Sequence, residues 1–170
     1  MERFPIAWRG FPMVPGLGGP YLTLTDINHS RVRAAVEEPD LIFCPWPDKP
    51  PPSGSLPALE AGRCAQYQGG EPFKQFHFLI FRAYFEENRD ISRREVLIEI
   101  GENAGLDVVR FIKDLESGLG RAELESERRK LMERGNFNGV PTVYFGAPYP
   151  LVGAVPIQVY QSAVERIEGL

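Results

Sequence analysis

Near residue 135 the spacing of apolar residues in this chain changes from helical to strand-like. Upstream, from Ser55, a succession of segments repeats every three or four residues. "SLPALEAGRCAQYQG" has Ser55 as a cap, Pro57 in the first turn and Gly69-Gly70 as a stop, which predicts a helix. "PFKQFHFLIFRAYFEEN" spreads Phe73, Phe76, His77, Ile80, Phe81, Tyr84 and Phe85 over most of a helix circumference, which predicts a central, largely buried helix with His77 as a core histidine. "SRREVLIEIGENAGLD" opens with Ser92 and Glu95 in capping-box spacing, closes at Gly105, and carries Val96, Leu97, Ile100 and Ala104 as a stripe. "DVVRFIKDLESG" repeats the pattern with Asp107 as cap, Val108, Phe111, Ile112 and Leu115 as face, and Gly118 as stop. A charged helix over 121–134 follows, with pairs such as Glu125 and Arg129 at i,i+4 spacing on a solvated face.

Beyond the change of period, "VPTVYFG" and "PYPLVG" are two short strands separated by Gly146-Ala147-Pro148, the pattern of a hairpin, and "PIQVYQSAVERIEGL" is a terminal amphipathic helix. The first 52 residues are rich in Pro and Gly. Their regular signals are "FPIAWRGFPM", a short strand, and "DINHSRVRAAVEE", a helix starting at Asp26. The order strand, helices, strand, strand, helix predicts an α/β chain. In that order the helical residues 53–135 lie between 1–52 and 136–170.

A chain of 170 residues, 43% of them hydrophobic, fits one domain, or one domain carrying a sizeable insertion, and can bury a core. A net charge of −4 supplies no basic footprint, so neither a nucleic acid nor an anionic membrane is an expected partner. No charged-then-apolar leader opens the chain and no apolar run reaches the ~20 residues of a membrane span. Two cysteines are too few for a disulfide scaffold, and with His29 and His77 they lack metal-ligand spacing. The expectation is a cytoplasmic protein without a metal. "LIFCPWPDK" resembles the approach to a thiol redox centre. Pro47 stands where a second thiol belongs, and the prolines at 47, 50, 51 and 52 exclude the helix whose dipole would activate Cys44. Cys44 is therefore the one weak candidate for a reactive monothiol, and Cys64, inside a helix, reads as packing.

"FRAYFEENRDISRREVLIEIGENAGLD", "NGVPTVYFG" and "LVGAVPIQVYQSAVERI" resemble, in order, the DsbA-like thioredoxin-fold family. The likeness is greatest to its FrnE-type branch of thiol-disulfide oxidoreductases, which is related to 2-hydroxychromene-2-carboxylate isomerases and kappa-class glutathione transferases. It extends over about Ile6 to Ile167 and is strongest from Phe78 onward; "IAWRGFPMVPG" looks like the second strand and "PPPSGSLPALEAGRCAQYQG" like the entry to the helical insertion. The resemblance implies a thioredoxin-like α/β fold, made of 1–52 and 136–170 around 53–135 as an inserted helical subdomain, in which "GVPT" is a cis-proline loop. Val140, Pro141 and Thr142 would then bind an extended peptide, a protein thiol or glutathione through backbone groups. Thr142 begins a strand, and its hydroxyl can bond locally or touch a substrate.

The family's first strand and its Cys-x-x-Cys turn precede the part that this chain resembles, so the fold expected here is incomplete at its N-terminus and no catalytic residue is identifiable. The reading is a disulfide oxidoreductase homologue without dithiol activity as given. The alternatives are a glutathione-dependent isomerase or transferase relative, a non-catalytic peptide-binding module, or a reading frame that truly begins upstream. Without the first strand the sheet lacks a central neighbour, which predicts that Leu41–Phe43, or a strand from a second copy, pairs into it, and that the chain forms a homo-oligomer.

Overall fold

A computed structural model describes residues 6–12, 23–133, 139–145 and 150–168. The chain divides into two compact units, Met1–Arg128 and Arg129–Leu170. In the first, α1 spans Leu24–Glu37, α2 Leu56–Gln66, α3 Gly70–Phe85, α4 Arg94–Asn103, α5 Val108–Ser117, and α6 begins at Leu119 and runs to Glu133. Helix α2 is the hub, packed against α3, α4 and α5. Its inner face is small: Ala58, Ala61, Cys64 and Ala65 are buried, and this lets larger side chains close over it. Phe76 of α3 and Phe111 of α5 are both fully buried and meet edge-on with ring centroids 5.4 Å apart. Burial of each contributes about 1.5–3 kcal/mol. Gly101 sets the approach of α4 to α5, because a Cβ there would lie 3.0 Å from the Phe111 ring.

The sequence signals at α5 act as expected. Asp107 accepts the Arg110 amide at 3.0 Å, and Gly118 ends the helix in the left-handed region at φ 68°. Helix α1 starts earlier than expected. Thr23 is its cap and Asp26 its third residue, the two joined reciprocally in a capping box. The expected Ser92–Glu95 box does not form: the Ser92 hydroxyl bonds Asp90 at 2.5 Å, and Arg93 caps α4 without a side-chain bond. Helix α3 is central but not largely buried. Phe76 and Ala83 face the core, whereas Phe78 and Phe81 are 60% and 50% exposed, since α2 and α4 cover only one of its sides.

The expected strand at the N-terminus is absent over 6–12. Its carbonyls bond to side chains instead: Trp8 accepts from Gln66 Nε2 at 2.9 Å and Pro12 from Arg128 Nε at 3.1 Å. Leu41–Phe43 is likewise not a strand; Phe43 packs edge-on to Phe85 at 5.5 Å. On α6 the charges reach sideways to α2 rather than along the helix. Arg63, 8% exposed, pairs with Glu123 at 3.4 Å and with Glu127, and Arg121 pairs with Glu60 at 2.9 Å.

The Pro-rich stretch after α1 is pinned by two side chains of that helix. Asn28 bonds both backbone groups of Trp46, at 2.6 and 3.1 Å. Arg31, 3% exposed, donates to the carbonyls of Cys44, Tyr84 (2.6 Å) and Phe85 (3.3 Å) and to the Asn88 side chain (2.6 Å). Two of those carbonyls end α3 and lack a helical partner, so a buried guanidinium sits where both hydrogen bonding and the helix dipole favour a cation.

The second unit contains β1, Thr142–Val143, and β2, Leu151–Val152, paired antiparallel with Thr142 opposite Val152 and Val143 opposite Leu151. Helix α7, Ile157–Glu168, follows. The turn residues Gly146-Ala147-Pro148 lie outside the described residues. None of the described side chains in this unit is fully buried, in keeping with how little core so short a segment can enclose.

Candidate functional site

Val140, Pro141 and Thr142 enter β1 as one exposed loop. Val140 is 42% exposed, and its peptide bond to Pro141 is cis. The loop is held from both sides. Thr142 turns its hydroxyl back to the Gly139 carbonyl, so it bonds locally. The Pro141 carbonyl accepts the Gly153 amide at 2.8 Å, and the Gly153 carbonyl accepts the Tyr160 hydroxyl of α7 at 3.2 Å. Among the described residues Val140 makes no backbone hydrogen bond, and β1 has no neighbour on the edge opposite β2. The Val140 N–H and C=O are thus left without backbone partners among the described residues. Gly153 and Tyr160 were not foreseen as part of this arrangement. The signal available was Gly153 itself, which needs a positive φ of 88° directly after β2.

The two thiols belong to the other unit and are built for different ends. Cys64 is fully buried against Glu60 and Gly120, and burial pushes its thiol up to about 12, so it is packing, as its helical position suggests. Cys44 is half-buried and sits in extended chain. Its amide donates to the Phe85 carbonyl at 2.9 Å and its carbonyl accepts from Arg31. Neither cysteine lies at a helix N-terminus, and they form no disulfide. His77 is half-buried among the rings of Trp8, Phe73 and Phe81, and burial holds its pKa below the usual histidine range. No cluster of metal-binding side chains occurs among the described residues. A groove of about 450 Å³ runs between α3 and α4, but its charges neutralise one another: Arg82 pairs with Glu87 at 3.0 Å and Arg89 with Glu99 at 2.5 Å.

The family model of the DSBA-like thioredoxin domain matches residues 50–165, from the end of the Pro-rich stretch through the helices, the loop and most of α7. The chain belongs to the DSBA-like thioredoxin domain family. A solved structure described as a "putative protein disulfide isomerase from Nitrosomonas europaea" superposes on it with a TM-score of 0.71, covering 92% of this chain and 76% of that one at 15% identity. At that identity the likeness speaks for the fold alone, which is thioredoxin-like α/β with a helical insertion. Within the DSBA-like chain, Val140-Pro141-Thr142 is the loop entering the first strand of the described hairpin. No helix among the described residues is long and apolar enough to cross a membrane.

Proposed function

We propose that this DSBA-like chain is a relative of the FrnE-type thiol-disulfide oxidoreductases whose 170 residues act by holding an extended peptide or protein thiol, without dithiol turnover of their own. The observation that carries the reading is the pairing of an accessible loop at Val140-Pro141-Thr142 with thiols unsuited to exchange. Cys64 is buried with its thiol raised, and Cys44 has neither a second cysteine three positions on, where Pro47 stands, nor a helix dipole to generate a thiolate. A peptide laid along the free edge of β1 would use the Val140 backbone for strand-like hydrogen bonds. Two free thiols are in keeping with a reducing compartment, the cytoplasm.

The test combines turnover and binding. Dithiol-driven reduction of insulin is expected to run no faster with the chain than with free thiol, while calorimetry with a reduced, unfolded peptide shows binding. Val140→Glu, which places a charge on the exposed loop, is expected to weaken that binding about tenfold, or 1.4 kcal/mol. Turnover abolished by Cys44→Ser would overturn the reading. Saturable binding of glutathione in preference to the peptide, lost in Val140→Glu, would replace it with that of an isomerase or transferase relative.

A further inference from the structure

We propose that the surface of α2, α3 and α6 beneath residues 6–12 is a binding site for extended segments of the pattern aromatic-x-Gly-aromatic-Pro, and that residues 6–12 are its resident occupant, displaced when such a segment arrives. The pattern stands in this chain as Trp8-Arg9-Gly10-Phe11-Pro12, and each position meets a separate feature of the helices. Trp8 stacks on His77 of α3 with ring centroids 4.4 Å apart, while its carbonyl accepts from Gln66 of α2 at 2.9 Å. Gly10 lies on Leu59 and Leu124, where a Cβ would come within 3.3 and 3.0 Å of their methyl carbons; Leu124 is fully buried and has little room to yield. Arg128 of α6 reads the last two positions together. Its Nε donates to the Pro12 carbonyl at 3.1 Å, and its guanidinium carbon stands 5.9 Å from the Phe11 ring centroid. Arg9 pairs with Glu127 at 3.4 Å, but both side chains reach solvent, so this position selects least.

These are the contacts of a bound peptide rather than of a core element. Pro12 keeps Phe11 out of the helical region, so the segment is extended of its own accord. Helix side chains, not a neighbouring strand, meet the Trp8 and Pro12 carbonyls, so those bonds open one side chain at a time. Ile6, Ala7, Trp8 and Arg9 are exposed, and of the seven residues only Pro12 is buried. Residues 13–22 join the segment to the cap of α1. Ten residues with Gly16, Gly18 and Gly19 among them reach at most about 35 Å, enough for the segment to lift away with α1 in place. It then leaves the His77 ring, the two leucines, Gln66 and Arg128 as a seat for a segment of the same chemistry. The seat belongs to the first unit, whereas the Val140-Pro141-Thr142 loop belongs to the second.

Fluorescence polarisation of a labelled peptide of residues 6–12, titrated with the full chain, reads the site directly. The tethered segment competes at an effective concentration on the order of millimolar, so the wild-type chain is expected to bind the peptide weakly. A Gly10→Val chain, whose own segment is pushed off Leu124, is expected to bind the wild-type peptide about tenfold or more tightly than the wild-type chain does, with unchanged circular dichroism. Trp8→Ala, which removes only the stack on His77, is the second route should Gly10→Val fail to fold. A peptide that itself carries Gly10→Val is expected to bind neither chain, and Arg128→Ala in the Gly10→Val chain to weaken binding about tenfold. Folded variants that bind no peptide up to hundreds of micromolar, or bind it no better than wild type does, overturn the proposal. So do a scrambled peptide that binds as well and an Arg128→Ala change without effect. Val140→Glu in the Gly10→Val chain is expected to leave this binding as it was; its loss there would assign the peptide to the β1 loop, overturning the site on the helices and leaving the loop reading intact.

Discussion

Replacing Arg31 by alanine should be among the most destabilising single changes in the first unit. The guanidinium satisfies the Tyr84 and Cys44 carbonyls and the Asn88 side chain, and it shares the Phe85 carbonyl with the Cys44 amide. The shared carbonyl keeps a partner when the arginine goes; the other three acceptors lose theirs. Each buried acceptor left unmet costs about 1–3 kcal/mol. The guanidinium carbon also lies 4.7 Å from the Tyr84 ring centroid and 5.1 Å from that of Trp46, a contact worth about 0.5–2 kcal/mol. Water entering the vacated space recovers part of this, so the expected loss is about 3–5 kcal/mol. Against a typical domain stability of about 5–15 kcal/mol, that is about a fifth or more of the whole. Urea unfolding followed by tryptophan fluorescence measures it, because Trp46 is 2% exposed and lies over the same guanidinium. Arg31→Lys keeps the charge but not the fork, and should recover less than half of the loss. An Arg31→Ala midpoint corresponding to less than 1 kcal/mol of destabilisation would refute the account of this residue as the clamp between α1, the Pro-rich stretch and the end of α3.

Three further outcomes follow from the core and the two cysteines. Gly101→Val should destabilise by about 1–3 kcal/mol, because even the Cβ meets the Phe111 ring at 3.0 Å; thermal unfolding reads it, and Phe111→Leu in the same chain should recover part of the loss. A thiol reagent at pH 8 should modify Cys44 in the native chain and Cys64 only after unfolding. Because the folded Cys64 thiol is raised from 9.0 to about 12, the unfolded chain loses its proton first. Stability is therefore complete below pH 9 and drains as pH rises toward 12, an effect that Cys64→Ala should remove from the alkaline limb of a pH-stability curve.

What could be read from residue order was what residue order controls. Asp107 and Gly118 delimit α5 because a side chain three residues from its target amide and a residue free to adopt positive φ are local devices. Ser92 shows the limit of the same logic, since Asp90, two residues away, competes for the hydroxyl and wins. The exposure of Phe78 was invisible for a related reason. An aromatic-rich helix specifies that it can be covered on many sides, whereas the number of neighbours present decides how many sides are. Arg31 gave no signal at all. Its partners lie 13 to 57 positions away, and three of the four acceptors are backbone carbonyls that any sequence could supply. The loop at Val140-Pro141-Thr142 was legible through family likeness, while its bracing by Gly153 and Tyr160 depends on the register of β1 against β2 and on where α7 begins.

The ionic seam between α2 and the first turns of α6 has a consequence for the order in which the first unit comes apart. Over 119–128 only Gly120 and Leu124 are buried, so α6 on lifting away exposes one large apolar side chain, worth about 1.5–3 kcal/mol, and opens the charge pairs of Arg63 and Arg121, whose partners water can replace. Helices α2, α3, α4 and α5 surrender Phe76 and Phe111 only together. The amide protons of α6 therefore exchange with solvent through a sub-global opening of low free energy, ahead of a slow-exchanging nucleus at Ala61, Cys64 and Ala65, and raising the ionic strength widens the gap between the two.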